Sequence, residues 1–331
     1  MPVRKSGEAL LKILYGGICG SDLGSYSGTF AYFDYPRIPG HEFSAVIVEV
    51  DENDQGLKPG MVVTCNPYFN CGHCYSCRRG VVNACMDNQT MGCQRDGGFQ
   101  EYITMPLERI YDGKGMDPRL LAVIEPFCIS YHGVQNAGIR PGDKVLVVGA
   151  GTIGVLAGVA AKALGGQVWI TDVAQEKLDY AQSAYDFSGT ILNGGDGALE
   201  EATREITGTS VMNGQAVTNG FDVCIEAVGL PSTFQNCIDA AAFGGRVVLI
   251  GVSKKNLDFN FTSIQKKELH VCGSRNALKK DFLELIDLVN SGEVELGRII
   301  TNTYRFENAA RAFADFKTNG SHMLKVVLDF T

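Results

Sequence analysis

An apolar run, Lys144–Val148, leads directly into Gly149-x-Gly151-x-x-Gly154. A stretch of small residues at helical spacing follows to about Leu164, and a second apolar run, Val168–Thr171, ends at Asp172. A strand, a glycine turn, a helix and a strand with an acidic end form the context that confirms a dinucleotide-binding βαβ unit. The glycines let the backbone approach a pyrophosphate, and the helix N-terminus offers free N–H groups and a favourable dipole. An acid at the second strand end accepts hydrogen bonds from the ribose hydroxyls of NAD and repels the 2′-phosphate of NADP. Val173 rather than an arginine follows Asp172, and Lys177, one helical turn on, can reach the ribose 3′-hydroxyl.

The rest of the second half continues the alternation. Gln175–Tyr185 reads as helix, Phe221–Glu226 as strand, Ser232–Ala242 as helix, and Arg246–Gly251 and Leu269–Gly273 as strands. Such alternation predicts a parallel sheet with right-handed crossovers. The first third reads differently. Ala9–Leu14, Ser44–Val50, Met61–Thr64 and Phe99–Thr104 are short β-branched runs between glycine turns, and no long helical period precedes about residue 118. Lys280–Asn290 is an amphipathic helix and Leu324–Phe330 a closing strand. The 331 residues therefore divide into two domains. The polar stretch Ala198–Gly220 is longer than a crossover needs.

Composition narrows the class. Lys and Arg number 29 against 37 Asp and Glu, a net −8, so no basic surface is available to neutralise nucleic acid or an anionic membrane. No apolar stretch reaches transmembrane length and the N-terminus has no signal-peptide core, which leads to the expectation of a cytoplasmic protein. In that setting the 11 cysteines point to metal or catalysis rather than to disulfides. Four of them, Cys71-x-x-Cys74-x-x-Cys77-x7-Cys85, have the spacing to converge on one tetrahedral Zn²⁺ in a closed structural site, with an iron–sulfur cluster as the alternative. Cys19 in Gly17-Ile-Cys-Gly-Ser-Asp22, His41-Glu42 and Glu125-Pro126 also carry chemistry, but their separation in the chain does not show that they meet.

The order CGSD, GHE, CxxCxxCx7C, GGFxEY, EP and GAGxIG resembles the zinc-dependent medium-chain dehydrogenases along essentially the whole chain. It is most similar to their polyol and sugar branch, the sorbitol, galactitol-phosphate, threonine and L-gulonate or L-galactonate dehydrogenases. The resemblance implies an α/β architecture: a GroES-like, β-rich catalytic domain over residues 1–126 and 276–331, and a doubly wound Rossmann domain over residues 127–275. It implies a catalytic zinc in the cleft between them, besides the structural one. Carried onto this sequence, Cys19 and His41 are zinc ligands, Glu42 matches a carboxylate that ligates zinc in the sorbitol branch, and Glu125 binds zinc or holds its water. Asp22 supports the ligands. Ser21 takes the alcohol proton while the hydride moves to NAD. Gly149, Gly151, Thr152, Ile153, Gly154, Asp172, Lys177, Val228, Gly251, Ser274 and Arg275 form the cofactor site, with Arg275 also able to face a substrate carboxylate or to join an interface salt bridge. Tyr26, Phe33 and Tyr35 shape the cleft mouth.

Two departures stand out. The proton relay of the family often ends in a histidine where this chain has Gly24, so the proton leaves by another route, such as water. The family also has about two further strands before the segment Gly7–Leu14, so either the true start lies upstream or the domain lacks edge strands, which would leave unpaired backbone at a sheet edge. The expected enzyme oxidises a secondary alcohol of a hexitol or hexonate to a ketone as a homodimer or homotetramer. L-Threonine 3-dehydrogenase is the alternative within the class, and a catalytically silent zinc and NAD-binding protein the alternative outside it.

Overall fold

The computed structural model describes residues 1–331 except Ala31, Tyr32, Asp34, Asp196 and Lys254. It divides into two compact units, Met1–Cys128 with Asn276–Thr331, and Ile129–Arg275.

The first unit is built on a mixed seven-stranded sheet. Its path runs Ile300–Arg305, Lys325–Asp329, Glu8–Ile18, Glu42–Glu49, Val62–Cys65, Ile110–Asp112, and Tyr102–Pro106 pairs with Glu8–Ile18 from off the path. Strand alternation explains the core. Ala9, Leu11 and Ile13 point to one face and are completely buried, packing with Phe43, Ala45, Ile47 and Val63. The first strand is paired along both sides. Tyr102–Pro106 pairs with its Glu8–Lys12 end, Lys325–Asp329 with its Tyr15–Ile18 end, and Glu42–Glu49 lies along the opposite side. Tyr102–Pro106 and Lys325–Asp329 together cover one side of the first strand. The segment Phe99–Thr104 also differs from its reading as a strand, because the strand begins only at Tyr102. The backbone N–H groups of Gly97 and Phe99 are taken by the carbonyls of Ile38 and Pro39, which fastens this turn to the loop before His41.

The second unit carries six parallel strands in the order Gly189–Leu192, Gln167–Asp172, Lys144–Val148, Phe221–Glu226, Ala241–Leu249, His270–Gly273. The central strands read as continuous apolar runs because helices cover the sheet. Sequence order reverses between Lys144–Val148 and Phe221–Glu226, which opens a crevice at the carboxyl ends of those strands. The long polar stretch resolves into a helix, Ala198–Thr207, and an antiparallel hairpin, Thr209–Met212 with Gln215–Thr218. No helix among the described residues is long and apolar enough to cross a membrane.

Candidate metal centres and nucleotide turn

The four-cysteine run forms a lobe. Cys74 caps the one-turn helix Tyr75–Arg78, and the Sγ atoms of Cys71, Cys74, Cys77 and Cys85 all lie within 4.8 Å of one another. Backbone N–H groups point at the sulfurs: Cys71 N to Cys85 Sγ at 3.2 Å and Cys74 N to Cys71 Sγ at 3.3 Å. Backbone N–H groups of Met86 and then Cys77 pull the Cys74 thiol down to about 6, while burial pushes Cys85 up to about 11. Four soft donors converging with N–H dipoles aimed at them fit a thiolate-bound Zn²⁺.

The dispersed residues do meet. Cys19, His41 and Glu42 present ligand atoms within 4.8 Å of one another, with His41 and Glu42 buried. Cys19 stands immediately before the short helix Gly20–Tyr26, and its backbone N–H donates to Asp22 Oδ2 at 2.9 Å. His41 and Glu42 come at the entry of the second long strand, where Glu42 is opposite Gly17. A Cβ at residue 17 would stand 2.1 Å from Glu42 Oε2, so only glycine leaves room for this carboxylate. His41 Nδ1 is buried without a hydrogen-bond partner, and Asp22 Oδ1 lies 3.9 Å from it. Burial opposes a charged His41, yet Asp22, Cys19 and Glu125 outweigh it and raise the imidazole well above its ordinary range. The acidic groups around His41 thus favour its charged form. A soft thiolate, an imidazole and a carboxylate form a donor set suited to zinc.

Two neighbours of this cluster, Lys325 and Tyr68, escape a reading of the sequence. Lys325, on the C-terminal strand, is buried and donates to both oxygens of Glu42, at 2.7 and 2.6 Å, and to the carbonyl of Ile18 at 3.2 Å. Burial disfavours the ammonium, but the Glu42 charge overrides it and holds the Lys325 pKa up. Glu125, at the start of the helix Ile124–Ala137, stands outside the three-residue ligand group, and the buried Tyr68 hydroxyl donates to its Oε1. Burial, with the Glu42 charge adding to it, pushes the Glu125 carboxyl up to about 7. Ser21 lies on the short helix, where its carbonyl accepts from Ser25 Oγ. Tyr26, Phe33 and Tyr35 line a 350 Å³ cavity of the first unit together with Asp22, Phe99 and Phe313.

In the second unit Gly149 has φ +109°, and a Cβ on Gly154 would stand 1.8 Å from the Gly149 carbonyl oxygen. The turn closes only if both are glycine. Thr152 and Ile153 open the helix Thr152–Ala163, with Gly151 as its cap. Asp172 Oδ2 accepts from Ala150 N at 2.8 Å and Oδ1 from Ala174 N at 3.0 Å. Each oxygen keeps a lone pair for a ribose hydroxyl. Across the crevice, the N–H groups of Val228 and Gly229 and the Thr233 hydroxyl donate to Glu226 Oε1, at 3.0, 2.8 and 2.6 Å. This buried carboxylate fixes the loop that brings Val228 against Gly149, and the Gly251 N–H donates to the Glu226 carbonyl. Glu226 is a further residue that the sequence reading did not single out. Ser274 Oγ is buried without a partner among the described residues, whereas Arg275 is exposed. A close-approach glycine turn, an acid with free lone pairs and an orphaned hydroxyl fit a bound dinucleotide.

Comparison with known proteins adds to this geometry. Residues 5–113 match the alcohol dehydrogenase GroES-like domain, and residues 152–291 match the zinc-binding dehydrogenase family. An L-galactonate-5-dehydrogenase of Escherichia coli is 34% identical over 330 residues, which is 100% of this chain and 94% of that protein. A sorbitol dehydrogenase of Halalkalibacterium halodurans is 30% identical, over 97% of this chain and 91% of its own length. Among solved structures, a short chain alcohol dehydrogenase of Escherichia coli complexed with NADH superposes with a TM-score of 0.89 at 31% identity, covering 100% of this chain and 94% of that one.

Proposed function

The chain belongs to the zinc-binding alcohol dehydrogenases with a GroES-like domain, and from that premise we propose that it oxidises a secondary alcohol of a polyol or sugar acid, a hexitol or hexonate, to a ketone and delivers the hydride to NAD⁺. The observation that carries this reading is the convergence of Cys19, His41 and Glu42, far apart in sequence, into one ligand-spaced group. Relatives named for L-galactonate and sorbitol support the substrate class.

Cys19 and His41 would hold a catalytic zinc, with Glu42, here paired with Lys325, and Glu125 as further candidate ligands. Bound there, zinc supplies Lewis acidity that lowers the pKa of the alcohol. Asp22 orients the ligands through the Cys19 N–H and its position beside His41. Ser21 receives the alcohol proton, and with Gly24 in place of a relay histidine the proton leaves by another route. In the second unit the turn at Gly149, Gly151 and Gly154 takes the pyrophosphate, while Asp172 and Lys177 take the ribose. Val228, Gly251, Ser274 and Arg275 would contact the nicotinamide half of the cofactor. The cysteine lobe holds the structural zinc. A reducing cytoplasmic setting, in which these cysteines serve as thiols or metal ligands, belongs to the same reading. We assign a homodimer or homotetramer, to be checked by light scattering.

The deciding experiment follows NADH absorbance over hexitols, hexonates, inositols, sugar phosphates and threonine. Turnover of a hexitol or hexonate supports the reading. Threonine alone would move the protein to the amino-alcohol branch, and normal NAD binding without any turnover would mark a silent zinc and nucleotide binder. Asp172→Ala should lower the preference for NAD over NADP by roughly ten-fold or more, the worth of hydrogen bonds to a charged group. An unchanged ratio would count against its ribose role.

A further inference from the structure

Tyr68 lies three residues before Cys71, at the root of the cysteine lobe. It belongs to the two-residue strand Tyr68–Phe69, which pairs with Gln89–Thr90 just beyond Cys85, so this small ladder closes the base of the lobe. Its backbone is held at both ends. The Tyr68 N–H donates to Asn66 Oδ1 at 2.9 Å, and the Tyr68 carbonyl accepts from Arg109 Nη1 at 2.5 Å. The same guanidinium donates through Nη2 to Asn70 Oδ1 at 3.0 Å and lies 4.3 Å from the centre of the Phe69 ring. The Asn70 amide in turn points at Cys77 Sγ, at 3.8 Å. A continuous set of polar contacts therefore runs from a lobe sulfur through Asn70 and Arg109 to Tyr68. At its other end the buried Tyr68 hydroxyl donates to Glu125 Oε1.

We propose that Tyr68 is a positioning residue that fixes the Glu125 carboxylate beside the Cys19–His41–Glu42 group, and that the cysteine lobe, through Asn70 and Arg109, fixes Tyr68. On this account the metal in the lobe sets the geometry of the catalytic centre as well as stabilising the fold. The proposal rests on the catalytic reading of Glu125 given above and deepens it. A phenol is suited to the task. Its hydroxyl offers one donor on a rigid ring, so anchoring the backbone and packing the ring fixes where the hydroxyl points. The carboxylate would otherwise be free to turn about its side-chain torsions, and supports of this kind tune metal sites.

The test uses the full-length zinc protein and its cobalt-substituted form, in which the visible d–d bands of the Cys19–His41 site report its coordination. Tyr68→Phe should keep two metals per chain and the wild-type urea midpoint. It should shift the cobalt bands of that site and lower kcat by roughly ten- to hundred-fold, the worth of a hydrogen bond to a charged group, with KM little changed. Arg109→Lys keeps the charge but loses the two-pronged grip. It should lower kcat in the wild-type background and by less than about two-fold in the Tyr68→Phe background, the non-additivity expected of coupled residues. Unchanged cobalt bands and kcat in Tyr68→Phe overturn the proposal, as do fully additive losses. Glu125→Gln separates the two levels. Impaired Glu125→Gln beside a wild-type-like Tyr68→Phe removes the positioning role alone. A silent Glu125→Gln removes the catalytic reading of Glu125 and the proposal with it.

Discussion

The cysteine lobe and the Cys19–His41–Glu42 cluster both gather metal donors within 4.8 Å, but they reach that result by opposite routes. The lobe takes all its ligands from one short loop and surrounds them with its own backbone N–H groups. The buried cluster exists only once the long strands of the first unit have paired, and its charges are balanced by side chains from distant segments. Glu42 meets Lys325 across 283 residues of sequence and Glu125 meets Tyr68 across 57. A local site of four like donors is closed and rigid, which suits structure. A site of mixed donors assembled by the fold, with carboxylates held by a lysine and a tyrosine, suits the proposed catalytic role.

The sharpest way to break this contrast is to remove one ligand from the buried cluster. Cys19→Ser or His41→Ala should lower turnover by roughly three orders of magnitude, on the order of 4 kcal/mol of transition-state stabilisation. The circular dichroism and urea midpoint should stay close to wild type. Unfolding of these variants would mean that the buried site is structural as well.

Lys325→Met tests the charge balance. It leaves Glu42 buried and unpaired, and removing one member of a buried pair costs about 3–5 kcal/mol. The loss should appear as a lower urea midpoint in the metal-free protein. A Lys325→Met protein of unchanged stability would show that Glu42 does not depend on the lysine.

The smallest expected effect concerns the lobe. In metal-free protein Cys74, with its thiol near 6, should be the first cysteine alkylated at neutral pH. The thiolate is present above that value, so labelling should slow as the pH drops through about 6. Cys224 and Cys237, whose thiols burial pushes up, should react last. Added zinc should protect Cys74. Uniform labelling of all four lobe cysteines would deny the lobe its internal asymmetry.

What the sequence reveals divides along the same line. The lobe is legible because its ligands share one loop, and the nucleotide turn is legible because periodicity and glycine spacing coincide within about one βαβ unit. The helix Gln175–Tyr185 and the strands Lys144–Val148 and Phe221–Glu226 have the bounds that their periodicity gives. Cys19, His41 and Glu42 were reachable only through resemblance, since nothing local shows that they meet. Lys325, Tyr68 and Glu226 were not reachable at all. A lysine in a terminal strand, a tyrosine before a cysteine run and a glutamate closing a strand each look ordinary until the fold buries them against a partner. The pairing of Tyr15–Ile18 with Lys325–Asp329 was hidden for the same reason, because that partner strand comes from the opposite end of the chain.

The central claim, two zinc sites with separate duties, is tested most directly by the metal content of the purified protein and of two variants. The account gives two zincs per chain in the wild type and one in Cys19→Ser, with the fold intact and activity lost. It gives one at most in Cys74→Ser, with the fold weakened. A wild type without zinc, or a Cys19→Ser protein that keeps both zincs and turns over normally, would contradict it.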